Sequence, residues 1–390
     1  MPNERSEISV FDFLSVDHMH LAFNEGYLRV LKSAYPKDII SFRGVKGHID
    51  RLAPRLVDVD RVIFRPCQAF EPPFGFSHHN LIAGRWAAWR CLRFIARATA
   101  GRPVRFVALL GINASLLAVV GRRWPAFSSA PLHLILHGQL GEAMVWRSHN
   151  PLFRAGDFIA QLRRPLPRSV SIVALELGIK EAISEIAPYM APSILTLEHP
   201  VLVSEWARNP HLLRLGTIRI GFAGHARRDK GFDAFAELAR RCLRPDIEFH
   251  AIGHSSPETE QVDTTNLSRK PAKMPLRRTE YLRALAEVDL VCLPFHSRAY
   301  DFTGSGTVSD AIATLRPLIA IRNRTLEAMF SRYGPIGSLA QSKETLLEPV
   351  LSVDPIKLAA QYSGWIDNLL TIRAARNPEV LGRAYAGAIG

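Results

Sequence analysis

The stretch IRIGFAGHARRDKGFDAFAELA, residues 218–239, decides the fold class. It begins as a continuously apolar run, passes through a polar turn that contains glycine, and continues with apolar residues at helical spacing. The same order recurs in VDLVCLPFHSRAYDFTGSGTVSDAIATLRPLIAI, residues 288–321, which ends in a further apolar run. Uninterrupted apolar strands that alternate with helices are typical of parallel sheets covered on both faces. Both stretches therefore predict a doubly wound α/β fold.

The alternation of strands and helices extends over nearly the whole chain. Predicted strands are ISVFDF from Ile8, RVIFRP from Arg61, VRFVALLGI from Val104, LHLILHG from Leu132, SIVALEL from Ser171, IEFHAIG from Ile247 and, within the two stretches above, IRIGFAG, VDLVCLPF and PLIAI. Polar residues interrupt this series once, over 204–216. We therefore predict Rossmann-like domains over 1–203 and 217–340, a linker over 204–216, and helices over 341–390. The two domains are expected to face each other across a cleft at the carboxyl ends of their strands.

The composition is that of an ordinary globular protein. The 390 residues are 47% hydrophobic and 22% charged, which excludes the disordered, collagen-like and disulfide-scaffold classes. The cysteines are widely spaced and form no C-x-x-C pair, which predicts free thiols and no zinc site: Cys67, Cys91, Cys242 and Cys292. The net charge of +13 favours an anionic partner, which is nucleic acid, an anionic lipid surface or a phosphorylated small molecule.

No targeting or membrane-spanning segment is predicted. The N-terminal residues MPNERSEISVFDF carry charges and lack the apolar core of a signal peptide. The longest apolar stretch, residues 106–121, is interrupted by Asn113 and Ser115, and it is shorter than the ~20 residues that a membrane helix needs. We expect a cytoplasmic protein that is at most peripheral at the inner face of the membrane.

The turn in the first quoted stretch has the composition of an anion site. Gly224 ends the predicted strand, and Lys230 lies where the helix begins. Backbone N–H groups at a helix N-terminus attract anions, and Arg227 and Arg228 add positive charge. An ordinary βα turn with solvated basic residues is the alternative interpretation.

The second quoted stretch contains a similar turn. The run Thr303-Gly304-Ser305-Gly306-Thr307 precedes a predicted helix and offers flexible backbone donors together with hydroxyl groups. This composition suits a diphosphate, and Asp310 on the helix is placed to accept hydrogen bonds from ribose hydroxyls. Capping of the helix by serine or threonine, with glycine for a tight turn, is the alternative.

Four segments of the second half resemble a known family. These are GFAGHARRDKGFDAF, EFHAIG, YLRALAEVDLVCLPF and SGTVSDAIATLRPLIA, in the family's order and spacing. They resemble the nucleotide-sugar domain of GT-B glycosyltransferases, nearest to the large group 1 or family 4 type that includes bacterial polysaccharide and lipopolysaccharide transferases. The resemblance covers roughly residues 218–321, whereas the first half shares only the rhythm of strands and helices. It implies a GT-B fold with two facing Rossmann-like domains and C-terminal helices.

The resemblance also implies how a sugar donor is bound. In that family the glycine turn and the later helix N-terminus hold the donor diphosphate, and a carboxylate on the helix binds ribose. Carried over to this sequence, Lys230 contacts the diphosphate and Asp310 binds the ribose. The donor-binding residues that we expect are Gly224, His225, Arg228, Lys230, Thr303, Gly304, Ser305, Gly306, Thr307 and Asp310.

Two positions depart from the family's pattern. His225 stands where the family usually has arginine directly after the first glycine, and a histidine is neutral or charged near neutral pH. The family's usual pair of glutamates is absent as well. Asp310 fills the second of these positions, whereas Phe302 occupies the first and Asp301 is its nearest acidic neighbour. Retention or inversion at the anomeric carbon is therefore left open.

The resemblance implies that the N-terminal domain binds the acceptor, so polar residues that follow its strands are candidates. A transferase must orient or deprotonate an acceptor hydroxyl group, for which a histidine or a carboxylate is suited. The catalytic candidates are His137, Glu142 and Asp17, and the acceptor-binding candidates are His18 and Asn24, with His20 and Gln139 nearby. Helix capping by Asp17 and a structural hydrogen bond of His137 are the alternatives. The spacing of the histidines completes no metal-ligand set.

Residues 80–101, NLIAGRWAAWRCLRFIARATAG, form a strongly basic segment. Arg90, Arg93 and Arg97 share one face of the predicted helix, and Trp86 lies near them. A basic helix with aromatic residues is typical of contact with an anionic membrane surface, which the resemblance favours. A helix that covers the sheet with a solvated arginine face is the alternative.

These observations lead to one expected function and several alternatives. We expect a glycosyltransferase that moves a sugar from a nucleotide-diphosphate-sugar donor to a saccharide or lipid-linked acceptor in surface polysaccharide synthesis. We expect it to need no cofactor and no metal, and to have no nucleic-acid partner. A basic nucleic-acid-binding protein is one alternative, although no recognition motif is present. A nucleotide-sugar epimerase on the same fold and a catalytically inactive GT-B relative are the others.

Overall fold

The computed structural model describes residues 6–68, 81–136, 156–203, 213, 216–295, 298–348 and 355–389. The strands are β1 Glu7–Asp12, β2 Ile39–Val45, β3 Val62–Cys67, β4 Val104–Leu110, β5 Leu132–Leu136, β6 Val170–Ala174, β7 Ile194–Thr196, β8 Ile218–Ala223, β9 Ile247–Ile252, β10 Leu290–Leu293, β11 Leu318–Ile321 and β12 Gly337–Ala340. The helices are α1 Leu21–Ala34, α2 Lys46–Leu52, α3 Leu81–Thr99, α4 Ala114–Leu116, α5 Phe158–Leu162, α6 Leu177–Ile186, α7 Phe232–Arg241, α8 Arg278–Ala286, α9 Gly306–Ala313, α10 Arg324–Tyr333, α11 Pro355–Ala375 and α12 Pro378–Ile389. Short 3-10 turns cover Ala53–Leu56, Trp124–Ala126, Pro188–Ser193, Arg228–Lys230, Pro257–Thr259 and Arg298–Phe302, and Leu117–Gly121 is π-helical.

The first of two structural units is built on the larger sheet. This unit consists of Met1–Pro200, Asp301–Gly304 and Pro378–Gly390. In its described part, seven strands form one sheet in the order β3-β2-β1-β4-β5-β6-β7, and every neighbouring pair is parallel. Fully buried Leu109 and Ile135 belong to separate apolar clusters. The continuous apolar sequence of these strands is therefore explained by burial on both faces of the sheet.

The second unit is built on the smaller sheet. It consists of Val201–Tyr300 and Ser305–Asn377. Its described residues form a five-stranded parallel sheet in the order β12-β11-β10-β8-β9. Phe222 of β8 packs against Phe232 and Phe235 of α7, with ring centroids 5.2 and 5.5 Å apart. These contacts fix the helix that follows the first quoted turn onto its own strand.

Each sheet has a point at which the order of its strands reverses. The reversal lies between β1 and β4 in the first sheet and between β8 and β10 in the second. Ligands of open parallel sheets bind beyond the carboxyl ends of the strands at such points. In the second sheet, both quoted sequence stretches leave their strands at this reversal. The fold therefore brings the two predicted turns to one end of one sheet.

The predicted fold class, α/β with two parallel Rossmann-like sheets, is confirmed. The strand pattern does not predict β2, β7 or β12, and each has a physical reason. The centre of β2 contains Ser41, Arg43 and Gly44, so it has no continuous apolar run. Strand β7 spans only Ile194–Thr196, and β12 is the short edge sequence GSLA. Short or polar strands become recognisable only from the neighbour with which they pair.

The helices expected as one block over 341–390 divide between the two units. Helix α11 belongs to the second unit, whereas α12 belongs to the first. Helix α12 lies close to α1. An ideal Cβ atom built on Gly382 would lie only 2.8 Å from the Ser33 Cβ atom. The Tyr385 hydroxyl lies 2.8 Å from His133 Nδ1 of β5. The last described helix therefore completes the first unit and not the second.

The described helices and the cysteines add two further results. Within the described ranges, no helix combines the length and the apolar character that crossing a membrane requires. Cys67, Cys91, Cys242 and Cys292 are all free thiols, as predicted from their spacing. The fold is therefore held by packing and hydrogen bonds, without a disulfide among these four residues.

Candidate functional site

Gly224, the residue after β8, marks the centre of the candidate site. Its φ angle of +99° lies in the region that favours glycine. An ideal Cβ atom built on it lies 3.4 Å from Thr307 Oγ1 and 3.5 Å from Lys230 Nζ. Thr307 Oγ1 also donates a hydrogen bond of 3.4 Å to the carbonyl oxygen of Ala223. The turn after β8 and the start of α9 therefore meet at one point of the second unit.

Backbone pairing holds the turns after β8 and β9 together. The Gly224 N–H donates to the Ile252 carbonyl oxygen at 2.7 Å, and the Ala226 N–H donates to the His254 carbonyl oxygen at 2.8 Å. Gly253 has a φ angle of +141°, and an ideal Cβ atom on it would lie 1.9 Å from the Gly224 carbonyl oxygen. A side chain at Gly253 would therefore displace the Gly224 turn.

The Lys230 ammonium is the main cation of the site. Burial lowers its pKa, and the negative charges of Asp229 and Asp310 partly offset this effect. Asp229 is itself paired with Arg227, and Asp310 with Arg278. Among the described residues, no carboxylate lies within ion-pair distance of the Lys230 ammonium. A partly desolvated cation without a fixed counter-ion favours an anionic ligand.

Two histidine rings stack beside Lys230. His225 follows Gly224 and His254 follows Gly253, and their ring centroids lie 4.1 Å apart with an angle of 17° between the planes. Burial lowers the pKa of His225, and the positive charges of His254 and Lys230 lower it further. His225 is therefore predominantly neutral at pH 7. The sequence predicts His225 but not His254, although His254 directly follows the quoted segment EFHAIG.

The N-terminus of α9 has a side-chain cap, and the space beside its first residue is unoccupied by any described atom. The Ser305 hydroxyl accepts a hydrogen bond of 3.4 Å from the Val308 N–H, so the capping interpretation of this serine is correct. An ideal Cβ atom on Gly306 would meet no atom within 4 Å. The N–H groups of Gly306 and Thr307 have no carbonyl partner within the helix, as at every helix start. They remain available to an anion.

The predicted run from Thr303 to Thr307 is divided between the two units. Thr303 and Gly304 belong to the first unit, where an ideal Cβ atom on Gly304 would lie 3.7 Å from the Leu175 Cβ atom and 3.9 Å from His199 Cδ2. Ser305, Gly306 and Thr307 belong to the second unit. Within the second unit, the structure therefore brings together only the last three residues of this run with Gly224 and Lys230.

Asp310 is held by two side chains of α8. Both of its carboxylate oxygens accept hydrogen bonds from Arg278, one of them at 2.8 Å from Nη1. Burial and the hydrogen-bonded Asp310 carboxylate raise the pKa of the Tyr281 hydroxyl well above its usual range. The sequence predicts Asp310 but contains no motif that points to Arg278 or Tyr281. A carboxylate oxygen has two lone pairs, so Asp310 can still accept from a ligand hydroxyl, and its ribose contact stays a prediction.

The arginines of the first turn differ in their surroundings. Arg227 donates two hydrogen bonds to the Asp229 carboxylate, at 2.9 and 2.7 Å, which partly neutralises its charge. The Arg228 side chain is exposed, and its backbone N–H donates to the Glu258 carboxylate at 3.1 Å. A donor contact of Arg228 stays a prediction, since long exposed side chains rearrange at low cost.

A buried polar network lies at the carboxyl end of β1 in the first unit. The Asp12 carboxylate accepts backbone hydrogen bonds from Leu14 and Ser15, at 3.1 and 2.9 Å, and a side-chain bond of 2.7 Å from Asn24 Nδ2. Asn24 Nδ2 also lies 2.8 Å from His48 Nε2. Asn24 is 1% exposed. Its amide therefore orders the loop after β1, and a direct contact of Asn24 with an acceptor stays a prediction.

The other candidates near β1 lie on the loop that follows it and are less buried than Asn24. Asp17 and His18 are exposed, and Asp17 Oδ1 lies 3.8 Å from Arg51 Nε. His20 Nδ1 lies 3.4 Å from Ser15 Oγ, and burial lowers the pKa of His20. Asp17 and His20 have φ angles of +44° and +54°, which are costly for residues other than glycine. No side-chain cap bonds the start of α1, so Asp17 does not have the predicted alternative role of a cap.

Three candidates cannot be placed in this way. His137, Glu142 and Gln139 lie outside the described residues. Their catalytic role therefore stays a prediction. Across the described ranges, no group of three or more histidine, cysteine, aspartate or glutamate side chains is arranged to hold a metal ion.

Comparisons with known proteins identify similar folds. No protein-family model matches the chain, and no curated protein sequence is similar to it. The lipopolysaccharide outer core galactosyltransferase WaaB in its apo form has a TM-score of 0.62 at 13% identity, over 98% of this chain and 99% of that chain. An alpha,alpha-trehalose-phosphate synthase (UDP-forming) from Burkholderia vietnamiensis has a TM-score of 0.65 at 10% identity, over 99% and 97% of the two chains. A putative UDP-N-acetylglucosamine 2-epimerase from Listeria monocytogenes has a TM-score of 0.53 at 14% identity, over 97% and 94%.

The similarities extend over both sheets, since nearly all of each chain is covered. They confirm the GT-B fold that the resemblance of the second half implies. At these sequence identities they establish the architecture, while the chemistry must be argued from the residues of this chain.

The network at β1 predicts the effect of removing the Asn24 amide. Asn24→Ala leaves the Asp12 carboxylate and His48 Nε2 without this buried partner, so the free energy of unfolding should fall by about 1–3 kcal/mol. Urea unfolding of the wild type and the variant measures the change. Asn266→Ala, at an exposed position of the second unit, is the matched control and should change the value by less than about 0.5 kcal/mol. Equal effects of both substitutions would refute the structural role of Asn24.

Proposed function

We propose that this protein is a glycosyltransferase, which moves a sugar from a nucleoside-diphosphate-sugar donor to a saccharide or lipid-linked acceptor in the synthesis of a surface polysaccharide. One observation carries the proposal: Lys230 Nζ and Thr307 Oγ1 lie within 3.5 Å of the same point, the Cβ position of Gly224. This point follows β8 at the reversal of strand order, where open parallel sheets bind ligands.

The donor diphosphate is assigned to this point because its charge matches the groups there. The Lys230 ammonium supplies a partly desolvated positive charge without a carboxylate partner in the described chain. The N–H groups of Gly306 and Thr307, which bond no carbonyl oxygen in the described part of the chain, supply directed donors, and the α9 dipole adds to them. A diphosphate has enough oxygen atoms to bond both sets of donors simultaneously.

The proposed reaction exchanges one bond at the anomeric carbon for another. The bond between this carbon and a diphosphate oxygen breaks, and the electron pair leaves with the nucleoside diphosphate. The acceptor hydroxyl oxygen bonds to the anomeric carbon and loses its proton to a base. Negative charge grows on the departing diphosphate, so Lys230 and the α9 N-terminus lower the barrier most when they contact these oxygens.

The nucleoside part of the donor is assigned to the side of the site at Asp310. The two hydrogen bonds from Arg278 fix the Asp310 carboxylate in one orientation. Tyr281, which lies on α8 like Arg278, also bonds this carboxylate. A fixed carboxylate binds a pair of ribose hydroxyls better than a mobile one, because less side-chain entropy is lost. In this proposal Arg278 and Tyr281 act as positioning residues for Asp310.

The acceptor is assigned to the first unit, at the carboxyl ends of its strands. Exposed Asp17 and His18 lie on the loop after β1, where Asp17 remains a catalytic candidate and His18 a candidate for contact with the acceptor. His137 and Glu142 follow β5 in the sequence and remain candidates for the base. The name of WaaB, a lipopolysaccharide outer core galactosyltransferase, supports a cell-surface saccharide as the acceptor class. The UDP-forming synthase supports a reaction that releases a nucleoside diphosphate.

An epimerase is the second candidate, because a putative UDP-N-acetylglucosamine 2-epimerase has a similar fold. The two functions differ in their need for an acceptor. An epimerase converts the nucleotide sugar alone, whereas a transferase forms a glycosidic bond only when a saccharide is added. Incubation with nucleotide sugars, with and without saccharide acceptors, therefore separates them by the products that mass spectrometry detects.

The central role of Lys230 predicts a clear effect of its replacement. Lys230→Met removes the cation but keeps an apolar stem of similar length, so the affinity for inorganic diphosphate should fall about 10- to 100-fold. Turnover with the true donor should fall by ~100-fold or more, on the scale of losing one charge-stabilising group. Isothermal titration with inorganic diphosphate measures the first effect without knowledge of the base or the sugar.

The matched control is Lys343→Met, which makes the same change of charge at an exposed position of the second unit. It should leave the affinity for diphosphate within about two-fold, because exposed charges at a distance are screened. The melting temperature of Lys230→Met should not fall, since burial already disfavours the charged form of this side chain. Equal affinities of the two variants would remove the assigned site.

The histidine pair predicts that donor binding depends on pH. The charged groups that face His225 are those of His254, Lys230, Arg227 and Asp229. Burial and the three positive charges outweigh the effect of Asp229, so the pKa of His225 lies below its usual value in the free protein. A bound diphosphate favours the protonated ring and raises this pKa. Binding therefore takes up a proton between the bound and free pKa values, and affinity should rise about 3- to 10-fold from pH 8.0 to 5.5.

UDP-glucose is a suitable probe for this experiment, because its doubly esterified diphosphate keeps a constant charge over this pH range. Titrations at a series of pH values give the affinity of the wild type and of His225→Asn. The variant should bind with an affinity that varies less than about two-fold with pH. The same pH dependence in both proteins would show that His225 is not the titrating group.

A further inference from the structure

Helix α3 of the first unit has a core face and a solvent face of different composition. Its core face packs on the sheet through fully buried residues such as Leu92 and Ile95. Its solvent face carries Ile82, Trp86, Trp89, Arg90, Arg93 and Arg97, which we call the α3 face. Because Leu92 and Ile95 cover the sheet, the α3 face is not needed for the fold of this unit.

The α3 face exposes an unusual amount of apolar surface. Ile82 is 88% exposed and Trp86 is 61% exposed. Trp89 is partly exposed and makes an edge contact with the exposed ring of Phe127, at a centroid distance of 5.9 Å. Phe127 follows the turn Trp124–Ala126, so the apolar ridge joins two separate segments of the chain. Large apolar side chains that lie together on a surface mark an interaction site.

Arginines share the α3 face with this apolar ridge, and the surrounding sequence contains no acidic residue. No Asp or Glu occurs in the sequence between Glu71 and Glu142. The Arg90 guanidinium stacks on the Trp86 ring at 4.6 Å. Arg93 and Arg97 are exposed and form no ion pair with any described residue. Their charges are therefore available to an external anion.

A second group of arginines extends the positive region. Burial lowers the pKa of Arg85, and the neighbouring charge of Arg164 lowers it further. Burial lowers the pKa of Arg122 as well, and the positive charges of Arg164 and Arg85 lower it further. Arg122 donates a hydrogen bond of 2.8 Å to Gln161, which is uncharged. Like charges from α3, from the segment after the π-helical turn and from the segment after α5 thus lie close together.

We propose that the α3 face docks on an anionic lipid bilayer. Trp86, Trp89 and Phe127 enter the boundary between headgroups and acyl chains, and Arg93 and Arg97 contact the lipid phosphates. Tryptophan prefers this boundary because its ring is apolar while its N–H forms hydrogen bonds. Exposed Ile82 favours a bilayer over nucleic acid, since phosphates attract arginines and bases stack on tryptophan but neither offers an aliphatic side chain an apolar partner. The proposal is independent of the proposed function.

Sedimentation with vesicles tests the charge requirement. The wild type should bind vesicles of equal parts phosphatidylcholine and phosphatidylglycerol at least about 10-fold more tightly than vesicles of phosphatidylcholine alone. Each arginine near an anionic surface strengthens binding about five-fold, so Arg93→Gln/Arg97→Gln should weaken it about 25-fold. The control Arg240→Gln/Arg241→Gln removes the same charge from exposed positions of α7 and should stay within about two-fold of the wild type.

Tryptophan fluorescence tests the orientation of the docked protein. Brominated phosphatidylcholine, mixed with phosphatidylglycerol, should quench the wild-type fluorescence when the vesicles bind. Trp86→Phe/Trp89→Phe should bind the vesicles but show less quenching than the wild type, because the two exposed rings that enter the lipid in this proposal no longer contribute to the fluorescence. Trp86→Ser/Trp89→Ser should also lose most of its affinity. Trp86→Ser alone, at a position that is 61% exposed, should lose part of the affinity while its melting temperature matches that of the wild type.

Several outcomes would overturn the proposal. These are equal binding to both kinds of vesicle, an equal loss of affinity in the α7 control, and vesicle binding that leaves the tryptophans unquenched. Salt-sensitive binding to duplex RNA or DNA without vesicle binding would assign the face to nucleic acid. Self-association that requires Trp86 and Trp89, again without vesicle binding, would assign it to a second copy of the chain.

Discussion

The candidate site depends on how closely two backbone turns approach each other. Gly253 lies against the Gly224 carbonyl oxygen, at a distance that leaves no room for a Cβ atom. This contact aligns the turns after β8 and β9, and the hydrogen bond from Ala226 to the His254 carbonyl continues the alignment. The Gly224 turn that is aligned in this way lies against Lys230 Nζ and against Thr307 Oγ1 of α9. A steric constraint on glycine thus holds the turn around which the charges of the site lie.

The charges of the site are arranged so that an anion completes them. Lys230 is partly desolvated, and the two carboxylates that act on its pKa are already paired with Arg227 and Arg278. In the proposed function, a bound diphosphate offsets the cost of burying this cation, because the charge then gains a partner in a region of low dielectric constant. In the same proposal, the stacked histidines His225 and His254 add a second, proton-dependent contribution to binding. Binding energy of this kind is available for holding a leaving group whose charge increases during the reaction.

The sequence predicts the α/β class and the residues of the two turns because both depend on local patterns. Apolar runs give the strands, and Gly224, Lys230 and the Ser305-Gly306-Thr307 run are recognisable by their order. Partners that come from other elements are not predictable in this way. Arg278 meets Asp310 only after α8 and α9 have packed on the same sheet, and Asn24 meets His48 only after α1 and α2 have packed together. The division of the run from Thr303 to Thr307 between two units also has no local signal.

A double-mutant cycle on Lys230 and Thr307 tests most directly whether both residues hold one diphosphate. Lys230→Met, Thr307→Val and the double variant are titrated with inorganic diphosphate, and the coupling free energy is obtained from the affinities. Residues that contact one ligand through a shared point should be coupled by about 1 kcal/mol or more. Losses of affinity that add within about 0.3 kcal/mol would mean that the two side chains act independently, contrary to the geometry at Gly224.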